Sequence, residues 1–219
     1  HDQLPSTTKI HFKTFYYPHY DVGGDYYDVI ELSKNEVGFC IADVSGKGIS
    51  AAILMSNFQA NLRALFKSNV DLEELVLNLN ERVMRSAKGE KFITLFVAKY
   101  NSSNHELEYI NAGHNPPLLY DVENNKMHLL KSGCVGMGML DEIPYVNKEK
   151  VKISHQSKML LYTDGLVEVI EGDGVEFGTD YIEEEISDKE SIDKNIEDII
   201  KHQKIGKDDA LVFDDISIL

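Results

Sequence analysis

Four aspartates, Asp25, Asp43, Asp164 and Asp214, each stand where an apolar stretch gives way to a turn. They are 18, 121 and 50 residues apart, so no local repeat explains the shared setting. A carboxylate at the end of an apolar strand face is costly to desolvate unless a positive charge meets it. The strand that leads to Asp43 carries no Lys or Arg to do so. If antiparallel pairing gathers the four strand ends, the carboxylates cannot all stay ionised without cations. All-oxygen donors suit Mg²⁺ or Mn²⁺ far better than zinc. Two such ions about 3.5–4 Å apart form the usual clamp for phosphoryl chemistry. Any one of these aspartates alone reads as a turn or cap residue. It is the fourfold recurrence that favours a site.

The elements that must position them follow from periodicity. Val37, Phe39, Ile41 and Asp43 share one parity, which puts three apolar side chains and a carboxylate on one face of a strand. Leu160, Tyr162 and Asp164 repeat that pattern with Gly165 directly after, and Val212, Asp214, Ile216 and Ile218 repeat it in a last strand over Leu211–Leu219. Gly23 and Gly24 permit a tight turn that brings Asp25 close to a ligand. Asp28 has the opposite parity, so of the two Asp25 is favoured for a shared site. Asp208 and Asp209 precede an apolar stretch much as Asp214 and Asp215 do, so the C-terminal donor is ambiguous on pattern alone.

Between these corners the chain reads as strands over Lys9–Tyr17, from Tyr26 to about Leu32, Phe92–Tyr100, His105–Asn111, Leu118–Asp121, Lys126–Leu130, Val151–His155 and Met159–Thr163. Ser33–Glu36 reads as a hairpin turn. Helices are expected over Gly48–Phe66, apolar enough at its start to be buried against a sheet, and over Asp71–Lys88, with a capping-box-like opening. Two more are expected over Gly178–Ile186 and Ile192–His202. Strands dominate and helices come in two groups, which predicts an α+β layout with largely antiparallel sheets.

The chain has 219 residues and a formal net charge of −15. That length supports one sizeable core or two small ones. The acidic balance argues against a nucleic-acid partner, since no surplus of Lys or Arg exists to displace counterions. No apolar run approaches a membrane span and no signal segment opens the chain, so no membrane contact is expected. Cys40 and Cys134 are too few for a disulfide framework, and a cytoplasmic compartment is the expectation.

Five stretches together resemble a known family: Val22–Asp28 (VGGDYYD), Ala42–Gly48 (ADVSGKG), Asn111–Pro117 (NAGHNPP), Tyr162–Glu168 (YTDGLVE) and Asp214–Leu219 (DDISIL). They are similar to the signature of metal-dependent (PPM, type-2C-like) serine/threonine phosphatases, in the bacterial SpoIIE/RsbU branch. Each is weak alone, but the order and spacing are specific and cover nearly the whole chain. The resemblance implies a four-layer αββα sandwich of two mainly antiparallel sheets, formed by residues 9–219, with residues 1–8 as the edge of a linker. It implies two or three Mn²⁺ or Mg²⁺ ions, with Asp43 bridging, Asp25 and the Val44 carbonyl on one side, and Asp164 and Asp214 on the other. Asp28, Gly24, Gly165 and Asp215 would be outer neighbours of those ligands. A metal-activated water would attack phosphorus directly. The implied substrate is phosphoserine or phosphothreonine on a STAS-type anti-anti-sigma protein, with a sensory or dimerising module upstream.

The chain departs from that pattern in two places. Ser45 stands where many relatives carry a histidine proposed as general acid, which leaves that role unassigned. No Arg precedes Gly23 to grip phosphate, so Lys13, His19 or the metals must do so. The DDISIL ending favours Asp214 over Asp208 and Asp209. Lys47 reads as a solvated residue at a helix start, His114 as a hydrogen-bonded loop former, and Tyr26 and Tyr27 as strand packing. Gly46-Lys47-Gly48 lacks the Ser/Thr and upstream glycine of a phosphate loop. Rival readings are a catalytically inactive pseudophosphatase that docks a partner, and a dinucleotide cyclase suggested by Gly23-Gly24-Asp25.

Overall fold

The structure, a computed structural model, describes residues 10–20, 22–169, 178–206 and 212–219. In chain order the elements are β1 (Phe15–Tyr17), β2 (Tyr26–Ser33), β3 (Glu36–Val44), α1 (Ile49–Leu65), α2 (Leu72–Ala87), β4 (Ile93–Asn101) and β5 (Glu106–Ala112). There follow β6 (Leu118–Asp121), β7 (Lys126–Leu129), β8 (Gly133–Cys134), β9 (Glu149–Lys152), β10 (Ser157–Leu160), α3 (Asp180–Ile186), α4 (Ile192–His202) and β11 (Ile216–Ile218).

Alternation along β3 sets the layers. Val37, Phe39 and Ile41 project between two sheets and meet Leu119, Leu161 and Leu219 of the second. Cys40, Ala42 and Val44 project the other way, beneath Leu54, Phe58 and Leu62 of α1 and Leu75 and Leu79 of α2. The first sheet runs β2-β3-β4-β5-β8, with β9 also on β5, and only the short β5–β8 contact is parallel. β10-β6-β7 and β1-β11 are joined by the bonds Leu161 N–H to Leu219 O (2.9 Å), Leu219 N–H to Leu161 O (3.0 Å) and Thr163 N–H to Ser217 O (3.1 Å). They therefore act as a second sheet. Its outer face, with Leu118, Tyr120, Ile216 and Ile218, is covered by Ile182 and Ile186 of α3 and Ile196 and Ile199 of α4. The result is the expected α+β sandwich in four layers, αββα. Each fully buried Leu, Ile or Phe in it contributes about 1.5–3 kcal/mol.

Several elements differ from the pattern reading. The first strand pairs regularly only over Phe15–Tyr17, because its partner β11 is itself three residues long; Lys9 and Leu211 lie outside the described residues. The strand expected over Val151–His155 runs over Glu149–Lys152 instead. Its register on β5 is set by Lys150 against Glu108 (2.9 Å) and by the Tyr109 hydroxyl donating to Glu149 (2.6 Å), cross-strand contacts that apolar periodicity does not reveal. Helix α1 is only partly buried along its apolar start: Ile49 and Ile53 are 73% and 66% exposed. Helix α2 opens as expected, with the Asp71 carboxylate accepting the Glu73 N–H (2.8 Å).

Candidate active site

Asp43 ends the inter-sheet face of β3, in register with Thr94 of β4. Asp164 and Asp214 reach the same end by another route than shared strand parity. β10 stops at Leu160, and after a single bridge between Tyr162 and Ile218 the chain turns into a 3-10 helix over Asp164–Leu166. Asp214 likewise precedes β11. Had parity held, both would lie on the face of Tyr162 and Ile216, under α3 and α4. The turns instead swing them to the mouth of the sandwich, where their charges bear on Asp43. Asp208 and Asp209, the alternative C-terminal donors, lie outside the described residues.

Neighbouring groups hold each carboxylate. The Thr163 hydroxyl donates to Asp25 (2.8 Å) and accepts the Ser217 N–H (2.9 Å), tying Asp25 to the second sheet. Asp215 is buried and accepts the N–H groups of His19 (2.8 Å) and Gly24 (2.7 Å), which pins the turn before Asp25 to the C-terminal segment. A Cβ on Gly24 would stand 3.3 Å from the Val44 carbonyl oxygen and 3.4 Å from an Asp43 carboxylate oxygen, so glycine keeps that corner open. A Cβ on Gly165 would collide with the Asp215 backbone. Gly24, Gly165 and Asp215 are thus neighbours of the aspartate cluster. Asp28 is not brought to it. It is buried on the helix side, bound by Arg63 of α1 (2.6 and 2.8 Å) and by the Tyr26 hydroxyl (2.5 Å).

The electrostatics record the crowding. Burial, and then the charges of Asp164 and Asp214, push the Asp43 carboxyl up to about 7, although a hydrogen bond with Asp25 offsets part of the rise. Burial and then Asp43 hold Asp25 well above the usual carboxylate range. Burial and then Asp214 raise Asp164. Three segments far apart in sequence therefore present mutually repelling carboxylates at one place. Among the described residues, no three His, Cys, Asp or Glu side chains already close into an ion-enclosing cage. Two of the acids have partners outside the cluster, Asp25 accepting from Thr163 and Asp214 meeting Lys47.

Lys47 is exposed to solvent at the start of α1, as expected, and also reaches the aspartate cluster. Its ammonium lies 2.9 Å from Asp214 and also donates to the Phe213 carbonyl. Partial burial works against its charge, yet Asp214 holds its pKa above the ordinary value. Lys91 donates to the Ser45 carbonyl (3.1 Å) and adds a second ammonium beside the same loop. Lys13, by contrast, stands 3.6 Å from Asp193 of α4 and lines a cavity elsewhere, so it does not serve this site. Ser45 is engaged by the Phe92 N–H (2.9 Å). His114 is the loop former expected: its Nδ1 pairs with Thr94 (2.9 Å), its N–H donates to Asn111 (2.8 Å), and burial lowers its pKa to about 4. Kept neutral, it is a poor general acid. The signal for Lys47 and Thr163 was their adjacency to the key aspartate motifs.

The sequence profile of the Stage II sporulation protein E (SpoIIE) family matches residues 33–219. The chain belongs to the SpoIIE family. Among its relatives, the phosphoserine phosphatase RsbU of Bacillus subtilis (strain 168) is 30% identical over 151 residues, which cover 69% of this chain and 44% of RsbU. Protein IcfG of Synechocystis sp. is 28% identical over an alignment of 244 residues, covering 99% of this chain and 38% of IcfG. The chain thus spans less than half the length of these curated relatives. Among solved structures, the PP2C phosphatase domain of SpoIIE from Bacillus subtilis, with a fragment of its regulatory domain, superposes with a TM-score of 0.76 at 15% identity, over 94% of this chain and 60% of that one. RsbX in complex with magnesium superposes with a TM-score of 0.68 at 16% identity, over 94% of this chain and 92% of that one. The SpoIIE-family chain therefore has the PP2C-type fold.

Proposed function

We propose that this SpoIIE-family chain is a Mn²⁺- or Mg²⁺-dependent protein phosphatase that hydrolyses phosphoserine or phosphothreonine on a regulatory protein of the STAS anti-anti-sigma type. The observation that carries the reading is the mutual crowding of Asp43, Asp164 and Asp214, supported by Asp25 beside them. So many carboxylates at one buried mouth raise one another's pKa and fit hard cations with oxygen donors. The group fits the residues: Asp25, Asp43, Asp164, Asp214 and the Val44 carbonyl would hold the ions, and Gly24 keeps their corner clear. When bound, such ions make a water nucleophilic at neutral pH and stabilise the phosphoryl oxygens.

The chain's own groups do the positioning. Thr163 orients Asp25, and Asp215 fixes the turn from His19 to Gly24 through two backbone N–H groups. Lys47 and Lys91 place positive charge beside the loop after Asp43, where an incoming phosphate dianion needs it. They take the gripping role that no Arg before Gly23 supplies. A sensory or dimerising module upstream would set when the site acts. The names of RsbU and RsbP, both phosphoserine phosphatases, support the substrate class.

The test is release of phosphate from a phosphoserine-bearing STAS protein with Mn²⁺ present. Chelation, or Asp164→Asn in a chain that still melts cooperatively, should lower turnover by about 100-fold or more. Unchanged turnover in that variant refutes the proposal. One observation favours the pseudophosphatase reading: Lys47 already neutralises Asp214. Calorimetry separates the two, since a docking module shows no saturable Mn²⁺ uptake.

A further inference from the structure

The mouth that gathers the aspartates has an apolar rim. Exposed apolar side chains scattered singly need no explanation, whereas a cluster of them marks a contact surface. Six large ones stand exposed on the four segments that border this mouth. Tyr20 and Val22 lie in the turn that Asp215 pins through the N–H groups of His19 and Gly24. Tyr20 packs edge-on against His19 (4.3 Å) and stands near Lys47. Phe213 precedes Asp214, and its carbonyl accepts from Lys47. Phe92 follows Lys91, and its N–H donates to the Ser45 hydroxyl. Ile49 is two residues beyond Lys47, and Ile53 shares its face of α1 one turn later.

Chain geometry fixes how near the rim stands. Successive Cα atoms are about 3.8 Å apart, so the backbone of Ile49 lies within about 8 Å of that of Lys47. An extended segment advances about 3.3 Å per residue. The second residue on either side of a bound phosphoserine therefore comes level with the rim. Charge narrows what that residue can be. Among the described residues of these four segments only Lys47 and Lys91 carry fixed positive charge, and both stand at the loop after Asp43. An acidic neighbour of the phosphoserine would meet the aspartates of the mouth, on a chain of net charge −15, with no further cation to receive it. An apolar neighbour would cover Ile49, 73% exposed, and Tyr20, 55% exposed, and gain from their burial.

We propose that this rim selects phosphorylated segments with a bulky apolar residue about two positions from the phosphoserine or phosphothreonine, and turns away segments with acidic flanks. Tyr20 and Ile49 are its specificity-determining residues. The inference rests on the phosphatase reading above and names which substrate segments that site takes.

The test uses the full chain with Mn²⁺ and three phosphoserine peptides of equal length, carrying Leu, Ser or Glu two positions to either side. A fourth substrate, p-nitrophenyl phosphate, has no flanks. The Leu peptide should exceed the Ser peptide by about tenfold or more in kcat/KM, and the Glu peptide should fall below both. Phosphonate versions of the peptides, which cannot be hydrolysed, should bind in the same order by calorimetry. Tyr20→Ser combined with Ile49→Ser should shrink the Leu-over-Ser ratio to about threefold or less, through a raised KM for the Leu peptide. Should that double variant fail to fold, the order of the three peptides on the unaltered chain decides alone. Hydrolysis of p-nitrophenyl phosphate with equal turnover of the Leu and Ser peptides, or an unchanged ratio in the folded double variant, overturns this inference and leaves the phosphatase reading standing. Failure to hydrolyse any of the four overturns that reading, and the inference with it. A dimer in sedimentation that the double variant dissolves would give the rim to a second copy of the chain and overturn the inference as well.

Discussion

Replacing Asp43 by Asn should stabilise the metal-free protein while abolishing its activity. Asp43 titrates near 7 in the folded chain against an ordinary 3.8, because it is buried and faces Asp164 and Asp214. Each tenfold change in proton affinity is worth 1.36 kcal/mol, so above pH 7 the ionised carboxylate costs the folded state about 4 kcal/mol. Asn keeps an acceptor for Asp25 and removes the charge, returning on the order of 2–4 kcal/mol of that cost. The sign follows from linkage. A folded state with the higher pKa binds more protons between about pH 4 and pH 7, so stability falls as pH rises through that window. Urea unfolding in a chelator should show the wild type losing stability between about pH 4 and pH 7, with a much flatter profile for the variant. The two should match near pH 4 and below, and the variant should lead near pH 8. Adding Mn²⁺ at the higher pH should stabilise the wild type and leave the variant unmoved. A variant no more stable than wild type near pH 8 would show that Asp43 is not under the repulsion described.

Three further changes probe other contacts. Arg63→Ala strands the buried Asp28 carboxylate and should cost about 2–3 kcal/mol in urea unfolding, below the 3–5 of a fully enclosed pair because Arg63 is half exposed; Arg63→Ala combined with Asp28→Asn should recover most of the loss. Lys47→Met removes the cation that now matches Asp214, so Mn²⁺ should bind more tightly by calorimetry while KM for the phosphoprotein rises; looser Mn²⁺ binding would mean Lys47 shapes the site and does not compete for it. Gly165→Ala drives a methyl into the Asp215 backbone and should lower stability by about 1–3 kcal/mol, with loss of phosphatase turnover, whereas Gly178→Ala at an open turn should strain only itself.

What sequence pattern could reveal depended on where the backbone stays regular. Alternation placed Val37, Phe39, Ile41 and Asp43 correctly because β3 is paired on both sides, by β2 and β4, and cannot slip without turning its whole apolar set outward. The same arithmetic misplaced Asp164 and Asp214, since both leave the sheet before their side chains are set, and a turn has no period. The visible trace there was glycine: Gly165 permits the Asp215 backbone to pass close, and Gly24 leaves room beside Val44. Partners remote in sequence left no trace at all. Asp214 lies far down the chain from Lys47, and Asp28 is 35 residues from Arg63.

The loop after Asp43 shows how these limits combine. Gly46 and Gly48 both adopt positive φ, 81° and 79°, so the chain doubles back between the end of β3 and the start of α1. That double turn carries Lys47 across to Asp214 and leaves Ile49 and Ile53 on the outer side of the helix, exposed despite their apolar character. A side chain at either glycine would strain the turn by about 1 kcal/mol or more. The segment is therefore shaped to bring a cation and two carboxylates to one mouth. Repulsion among the acids is confined to strand ends, while the three apolar layers behind them remain filled and hold the strands in register against it.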